Sequence, residues 1–226
     1  MNHRTLKDNL YEQVARIGKA LSSPKRLELL EMLAQGEKTV EQLAGELSID
    51  IKLTSAHLKA LKEARLVQSR RDGKYVIHRI SGGDVAQLGV SLRQVAEEYL
   101  VELRLAVDRM VAEPTKLSKV GRSELLAQAR RGEVIVIDVR PQAEYDTAHL
   151  PFARSMPLPE LQRRLAELPK RTQIVAYCRG PFCLMSDEAV KLLSAKGYKA
   201  RKISDGVSEW LSAGLPVERP AAGSTA

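Results

Sequence analysis

Near the middle of this chain the apolar residues change the period on which they recur, and that change constrains the fold more than any other feature. Before Pro114 they return every three to four residues, as on amphipathic helices; after Gly121 short apolar runs alternate with helical stretches. The two patterns are buried by different layer architectures, so the 226 residues are expected to form two domains, each long enough to enclose a core. The divide falls in Pro-Thr-Lys-Leu-Ser-Lys-Val-Gly, which has no clear period. We therefore expect a first domain over residues 1–113, a linker over 114–121, a second domain over 122–219 and a disordered tail over 220–226.

The first half reads as mainly helical. Leu10, Val14, Ile17 and Leu21 recur at helical spacing, and Ser23-Pro24 starts a second helix that carries Leu27, Leu30 and Leu33 inward. Thr39-x-x-Gln42 is a capping box for a third helix over 40–47, and after the polar turn Ser48-Ile49-Asp50 a fourth runs over 51–64. Two short helices joined by a tight turn, the second basic and hydroxyl-rich, are a helix-turn-helix pattern. Asp72-Gly73 then marks the turn of a hairpin, a wing whose tip is basic. From 84 to 112 one long helix presents an apolar stripe (Leu88, Leu92, Val95, Tyr99) that a small domain covers only in part, so it is expected to pack on its equivalent in a second copy.

Charge points to the partner. The chain carries a net +8, and residues 51–80 alone hold eight Lys/Arg against two acids, while the rest of the first 115 residues is slightly acidic. A local patch of this kind fits the phosphates of double-stranded DNA. On the fourth helix Lys52, Ser55, His57 and Lys59 lie near the start or on the polar face, with Thr54 a further candidate for base or phosphate contact; Arg70, Arg71 and Lys74 on the wing suit phosphate or minor groove.

The segments Ser23-Pro24-Lys25-Arg26-Leu27-Glu28-Leu29-Leu30, Glu41-Gln42-Leu43-Ala44 and Ser55-Ala56-His57-Leu58-Lys59 resemble the ArsR-type winged-helix repressors, over about residues 10–110. The resemblance implies a homodimer reading an operator with inverted half-sites. Many such repressors sense metals through cysteines on the third helix or His/Asp/Glu pairs on the last. Here the third helix has neither Cys nor His and the last has no His, so no metal site is expected.

The second half alternates strand and helix, which implies a small parallel sheet covered by helices on both faces. Strands are expected over 134–139, 173–177 and 199–203, and helices over 123–131, 158–168 and 186–196 with a short one at Glu209-Trp210. Both cysteines lie in Tyr177-Cys178-Arg179-Gly180-Pro181-Phe182-Cys183, between a buried strand and a helix start. Amide groups at a helix start favour a thiolate over a thiol, and Arg179 adds a positive charge. The rival reading is two small buried hydrophobes.

Ile137-Asp138-Val139-Arg140-Pro141, Ala148-His149-Leu150-Pro151-Phe152, Tyr177-Cys178-Arg179-Gly180 and Asp205-Gly206-Val207-Ser208-Glu209-Trp210, in that order, resemble a rhodanese domain over about residues 120–216. Phe152 departs from it, standing where that family often has Gly. The resemblance makes Cys178 the nucleophile that carries sulfane sulfur as a persulfide, with Arg179, Gly180, Pro181, Phe182 and Cys183 forming the anion cradle. Asp138, Arg140 and Glu144 read as structural, an ion pair and a turn brace, and His149 likewise. Related folds reduce arsenate or cleave phosphate with an Arg closing a longer loop; here that position is Leu184, which cannot neutralise a dianion.

Two cysteines exclude a disulfide scaffold, no apolar run approaches the length of a membrane helix, and Met1-Asn2-His3-Arg4 leads into no signal segment. The expected setting is the reducing cytoplasm, without membrane contact or cofactor. The combined reading is a repressor whose rhodanese-like domain transfers or senses sulfane sulfur or redox state through Cys178, with a small sulfur donor and a thiol acceptor as partners. Its alternatives are a thiosulfate or persulfide sulfurtransferase whose DNA domain serves autoregulation, an arsenate-reductase-like activity, and a purely structural use of the second domain.

Overall fold

In the computed structural model of the protein, residues 2–110, 117, 118 and 120–219 are described, and the chain divides into two compact units, Met1–Gly89 and Val90–Ala226. The expected tail, half of the expected linker and the end of the long helix at 111–112 lie outside the described residues.

The first unit opens with α1 (His3–Leu21) and α2 (Pro24–Ala34). The short strand β1 (Lys38–Thr39) leads into α3 (Val40–Leu47), and α4 (Ile51–Glu63) is followed by β2 (Val67–Asp72) and β3 (Tyr75–Ile80). The capping box is present: Thr39 Oγ1 accepts the Gln42 N–H at 3.3 Å and Gln42 Oε1 accepts the Thr39 N–H at 2.8 Å. Leu29, Leu33, Leu43, Leu58 and Leu61 close the core. Leu27, expected inward, is 36% exposed, because the buried stripe of α2 passes through Leu29, Leu30 and Leu33 instead. The hairpin turns at Gly73, whose φ of +57° is open to glycine at little steric cost. It pairs Asp72 with Tyr75, and β1 adds to β3 as a third strand too short to carry a sequence signal.

The long apolar helix is two. α5 (Gly83–Tyr99) ends before Leu100, and α6 (Val101–Met110) follows at once.

The second unit also holds α7 (Arg122–Arg130), β4 (Val134–Asp138), α8 (Gln142–Thr147), β5 (Arg154–Ser155), α9 (Leu158–Leu161), β6 (Gln173–Tyr177), α10 (Met185–Ala195), β7 (Ala200–Lys202) and α11 (Val207–Ser212). The four strands are parallel in the order β5-β4-β6-β7. α7 is capped by Gly121 and so starts one residue before the helix expected over 123–131. The helix expected over 158–168 is broken: α9 ends at Leu161, a 3-10 turn spans Leu165–Glu167, and Leu168, which stands before Pro169, is extended.

Alternation along β4 and β6 sends side chains to two cores. Ile137, Ile174, Ala176 and Cys178 face Leu161, Ala189, Val190 and Leu193 of α9 and α10. Val134, Val136, Val175 and Tyr177 face Leu125 of α7 and Trp210 of α11. Helices therefore cover both faces, as a parallel sheet requires.

One charged network is sealed at the strand ends. Arg140 Nε donates to Asp138 Oδ1 at 3.0 Å and its Nη2 to the Ala148 carbonyl at 2.8 Å, with the two side chains 1% and 0% exposed. The Tyr177 hydroxyl donates to Asp138 Oδ2 at 2.5 Å and accepts the Leu150 N–H at 3.1 Å. Burial holds that phenol well above its ordinary pKa, so it remains a donor. Asp138→Ala would strand the Arg140 charge in the core, and we expect a loss of about 3–5 kcal/mol in urea unfolding of the full chain. A loss under about 1 kcal/mol would show that the network contributes little.

Candidate functional site

In the first unit Asp50 caps α4, its carboxylate accepting the N–H groups of Lys52 at 2.7 Å and Leu53 at 3.3 Å. Ser48, at a φ of +52°, turns the chain sharply between α3 and α4. With that entry fixed, Thr54, Leu58 and Leu61 face the core, while Lys52, Ser55 and Lys59 lie exposed and His57 is half-buried. Thr54 is a correction to the expected contact set. It is fully buried and its hydroxyl donates to the Asp50 carbonyl at 2.9 Å, so it braces the helix start rather than reaching outward. Ile51 and Leu53 are exposed beside Lys52 at 50% and 47%; apolar contacts of this type suit thymine methyl groups.

On the wing, Arg71 and Lys74 are exposed, with the Lys74 ammonium 5.1 Å from the Tyr75 ring centre. Arg70 is shared between Glu37 at 2.8 Å and Asp72 at 3.1 Å, so a phosphate there would compete with two carboxylates. Lys62 reaches across to Ser69 Oγ at 2.7 Å and ties α4 to the wing.

In the second unit, Cys178 is the first residue after β6 and its side chain follows Ile174 and Ala176 to the α10 face. Cys178 is 2% exposed, and its Sγ lies 3.3 Å from Ser186 Oγ and 3.3 Å from the Cys183 carbonyl. The thiol is lowered to about 7, first by the hydrogen bond that the Cys183 side chain donates, then by the Ser186 hydroxyl and the amides of Ser186 and Gly180, against the opposing effect of burial. Cys183 is raised, because it supplies that hydrogen bond and is itself half-buried next to the negative sulfur.

The expected cradle is divided between the two sulfurs. The amides of Gly180 and Ser186 serve Cys178, those of Arg179 and Met185 serve Cys183, and the Cys183 N–H is spent on the Gly180 carbonyl at 3.1 Å. Arg179 turns away from the sulfurs: its Nε donates to Glu144 Oε2 at 3.0 Å, with side-chain exposures of 11% and 2%. Glu144, expected to brace a turn, is thus the partner that anchors the loop. Pro181 is half-buried, and Phe182 and Leu184 are exposed on the rim.

Two glycines let α11 approach. A Cβ on Gly206 would lie 2.3 Å from the Arg179 carbonyl oxygen, and one on Gly180 would meet the Glu209 carboxylate at 3.3 Å. Glu209 Oε2 accepts the Gly206 N–H at 2.7 Å, and Oε1 accepts from Arg93 Nη2 at 2.9 Å; the Arg93 guanidinium stands 5.7 Å from the Phe182 ring centre. Phe152 keeps a φ of +64°, so the glycine-type turn persists with a bulky residue in it. His149 stacks on Tyr145 at 3.7 Å and contacts its carbonyl at 2.9 Å, a packing role. Among the described residues no three His, Cys, Asp or Glu side chains gather as metal ligands would, and no helix is long and apolar enough to cross a membrane.

Comparison with known proteins adds two matches. The model of the bacterial regulatory protein arsR family matches residues 23–69, and that of the rhodanese-like domain matches residues 122–213. The HTH-type transcriptional regulator Rv0324 of Mycobacterium tuberculosis is 42% identical over 212 residues, covering 94% of this chain and 93% of its own length. A sulfurtransferase of Allochromatium vinosum is 32% identical over 101 residues, 43% of this chain and 92% of its own. The solution structure of a homodimeric winged helix-turn-helix domain of Mb0332 from Mycobacterium bovis is 43% identical with a TM-score of 0.41, covering 45% of this chain and 93% of that one.

The hydrogen bonds at Cys178 set its reactivity. Alkylation by iodoacetamide should rise with pH around a midpoint near 7, the value to which the thiol is lowered. Ser186→Ala, which deletes one donor, should move that midpoint upward and slow alkylation at neutral pH several-fold, on the order of 1 kcal/mol; an unmoved midpoint would show that Ser186 does not act on the sulfur.

Proposed function

This chain belongs to the ArsR family of bacterial regulatory proteins and carries a rhodanese-like domain, and on that premise we propose that it is a homodimeric operator-binding repressor whose DNA affinity is set by sulfane sulfur at Cys178. The observation that carries this reading is the condition of Cys178: a nearly enclosed thiol at a strand end, supplied with donors and lowered to about 7. Its thiolate attacks the outer sulfur of a donor R–S–SH; the S–S bond breaks, R–S⁻ leaves with the electron pair, and Cys178 holds the persulfide. Transfer to an acceptor thiol reverses the same chemistry.

The loop also selects the donor. Its one side-chain cation, Arg179, is committed to Glu144, and its exposed rim residue Phe182, like the adjoining Leu184, is apolar. A thiosulfate dianion therefore finds no loop cation to pair with, which favours a low-molecular-weight persulfide. For the same reason Leu184 argues against arsenate.

DNA would take the exposed face of α4 in the major groove, with Arg71 and Lys74 of the wing on phosphate. A second copy of the chain accounts for two apolar faces that would otherwise meet water. Leu10, Tyr11 and Val14 of α1 are 60–67% exposed, and Leu92, Val95 and Tyr99 of α5 are 39–77% exposed. A DNA target fits a cytoplasmic setting. α5 is one continuous helix from Gly83, and Arg93 on it holds Glu209 against the cysteine loop, which gives the sulfur state a mechanical path to the dimer.

A second reading, a sulfurtransferase first and a regulator of its own gene second, is favoured by the likeness to the Allochromatium sulfurtransferase. Operator affinity separates the two. Measured by fluorescence anisotropy with and without glutathione persulfide, it should change at least tenfold in the wild type and not in Cys178→Ser; unchanged affinity in the wild type would leave only the enzyme. Arg71→Ala and Lys74→Ala should each weaken binding to all DNA sequences alike and lower the salt slope by about 1. A loss confined to the operator would move these side chains from phosphate to bases.

A further inference from the structure

We propose that Cys183 is the resolving thiol of Cys178, so that the loop reduces sulfane sulfur to hydrosulfide and closes into a Cys178–Cys183 disulfide. This rests on the reading above in one respect, that Cys178 accepts sulfane sulfur. The geometry puts the second thiol where such a step needs it. The Cys183 carbonyl approaches Cys178 Sγ to 3.3 Å, and each thiol is the first cause of the other's shift, Cys178 downward and Cys183 upward. The turn that achieves this is closed by the Cys183 N–H on the Gly180 carbonyl at 3.1 Å. Cys183 packs against the same apolar cluster that holds Cys178. The amides of Arg179 and Met185 are directed at the Cys183 sulfur, so a negative charge formed there has donors waiting.

The steps balance. Cys178 thiolate takes the outer sulfur of R–S–SH and R–S⁻ departs. That thiolate takes the Cys183 proton. Cys183 thiolate then attacks Cys178 Sγ; the Sγ–SH bond breaks and hydrosulfide leaves with the pair. Two cysteine thiols are oxidised by two electrons and one sulfane sulfur is reduced to sulfide, with the persulfide as the only oxidant. A low-molecular-weight thiol re-reduces the disulfide. The order is self-enforcing. While Cys178 is ionised, its negative sulfur raises the Cys183 thiol; capping as Sγ–SH takes that charge off Sγ, and Cys183 then gives up its proton more readily. The protein would thereby have three states, dithiol, persulfide and disulfide, with different charge in the loop.

The test compares wild type, Cys183→Ser and Cys178→Ser, each full length, after one equivalent of glutathione persulfide, by intact-protein mass spectrometry and a sulfide assay. Serine keeps a hydrogen-bond donor beside Cys178, so Cys178 stays activated in that variant; its alkylation rate confirms that the loop is intact. We expect the wild type to lose two hydrogens and release close to one equivalent of sulfide, and Cys183→Ser to keep one added sulfur atom and release at least tenfold less. A wild type that keeps the added sulfur as Cys183→Ser does would overturn the proposal and leave the sulfur-carrier reading standing. No added sulfur on Cys183→Ser, with its Cys178 still alkylated, would instead remove the carrier reading itself.

Discussion

A strand buried on both faces leaves its last residue few choices, and the second unit is arranged around that fact. β6 sends alternate side chains into two separate cores, so the residue after Tyr177 must enter the α10 side, and that residue is Cys178. The thiol is therefore aimed by the register of the sheet rather than by the loop. The segment after β6 supplies chemistry to a position already chosen: Ser186 from the first turn of α10, amides from the turn, and a second thiol folded back by the Gly180–Cys183 hydrogen bond.

Burying a reactive sulfur among charged groups requires each charge to be matched. Arg140 is matched by Asp138, Arg179 by Glu144 and Glu209 by Arg93, all with little exposure. The loop's one side-chain cation is thereby engaged by Glu144, and what surrounds the Cys178 sulfur is a set of short-range donors, which stabilise a single negative charge and act only at hydrogen-bond distance. The packing of α11 belongs to the same design, since a side chain at Gly206 would collide with the loop backbone.

Much of this was readable in the residues. The capping box at Thr39, the turn at Gly73, the parallel alternation and the paired cysteines each rest on local chemistry, and local chemistry survives folding. Errors arose where a tertiary partner overrode the local pattern. Leu27 has the spacing of a core residue, yet the α2 stripe rotates to Leu29; Thr54 has the polarity of a contact residue, yet faces the core and satisfies its hydroxyl on the Asp50 carbonyl. Arg179 stands beside Cys178 in sequence, yet its guanidinium belongs to Glu144, 35 residues away. β1 and β5, of two residues each, exist only because neighbouring strands offer them partners.

Composition and period were enough to establish two domains of different architecture, a basic helix with a wing, and a cysteine pair at a strand-to-helix turn. They were enough because amphipathic spacing, capping and charge density depend on residues within a few positions of one another. Which charges are free, which hydroxyl meets the sulfur and how the loop amides are shared between two cysteines were decided by the folded structure. Those are distances between residues far apart in the chain, and a hydrogen bond or an ion pair is set by such distances alone.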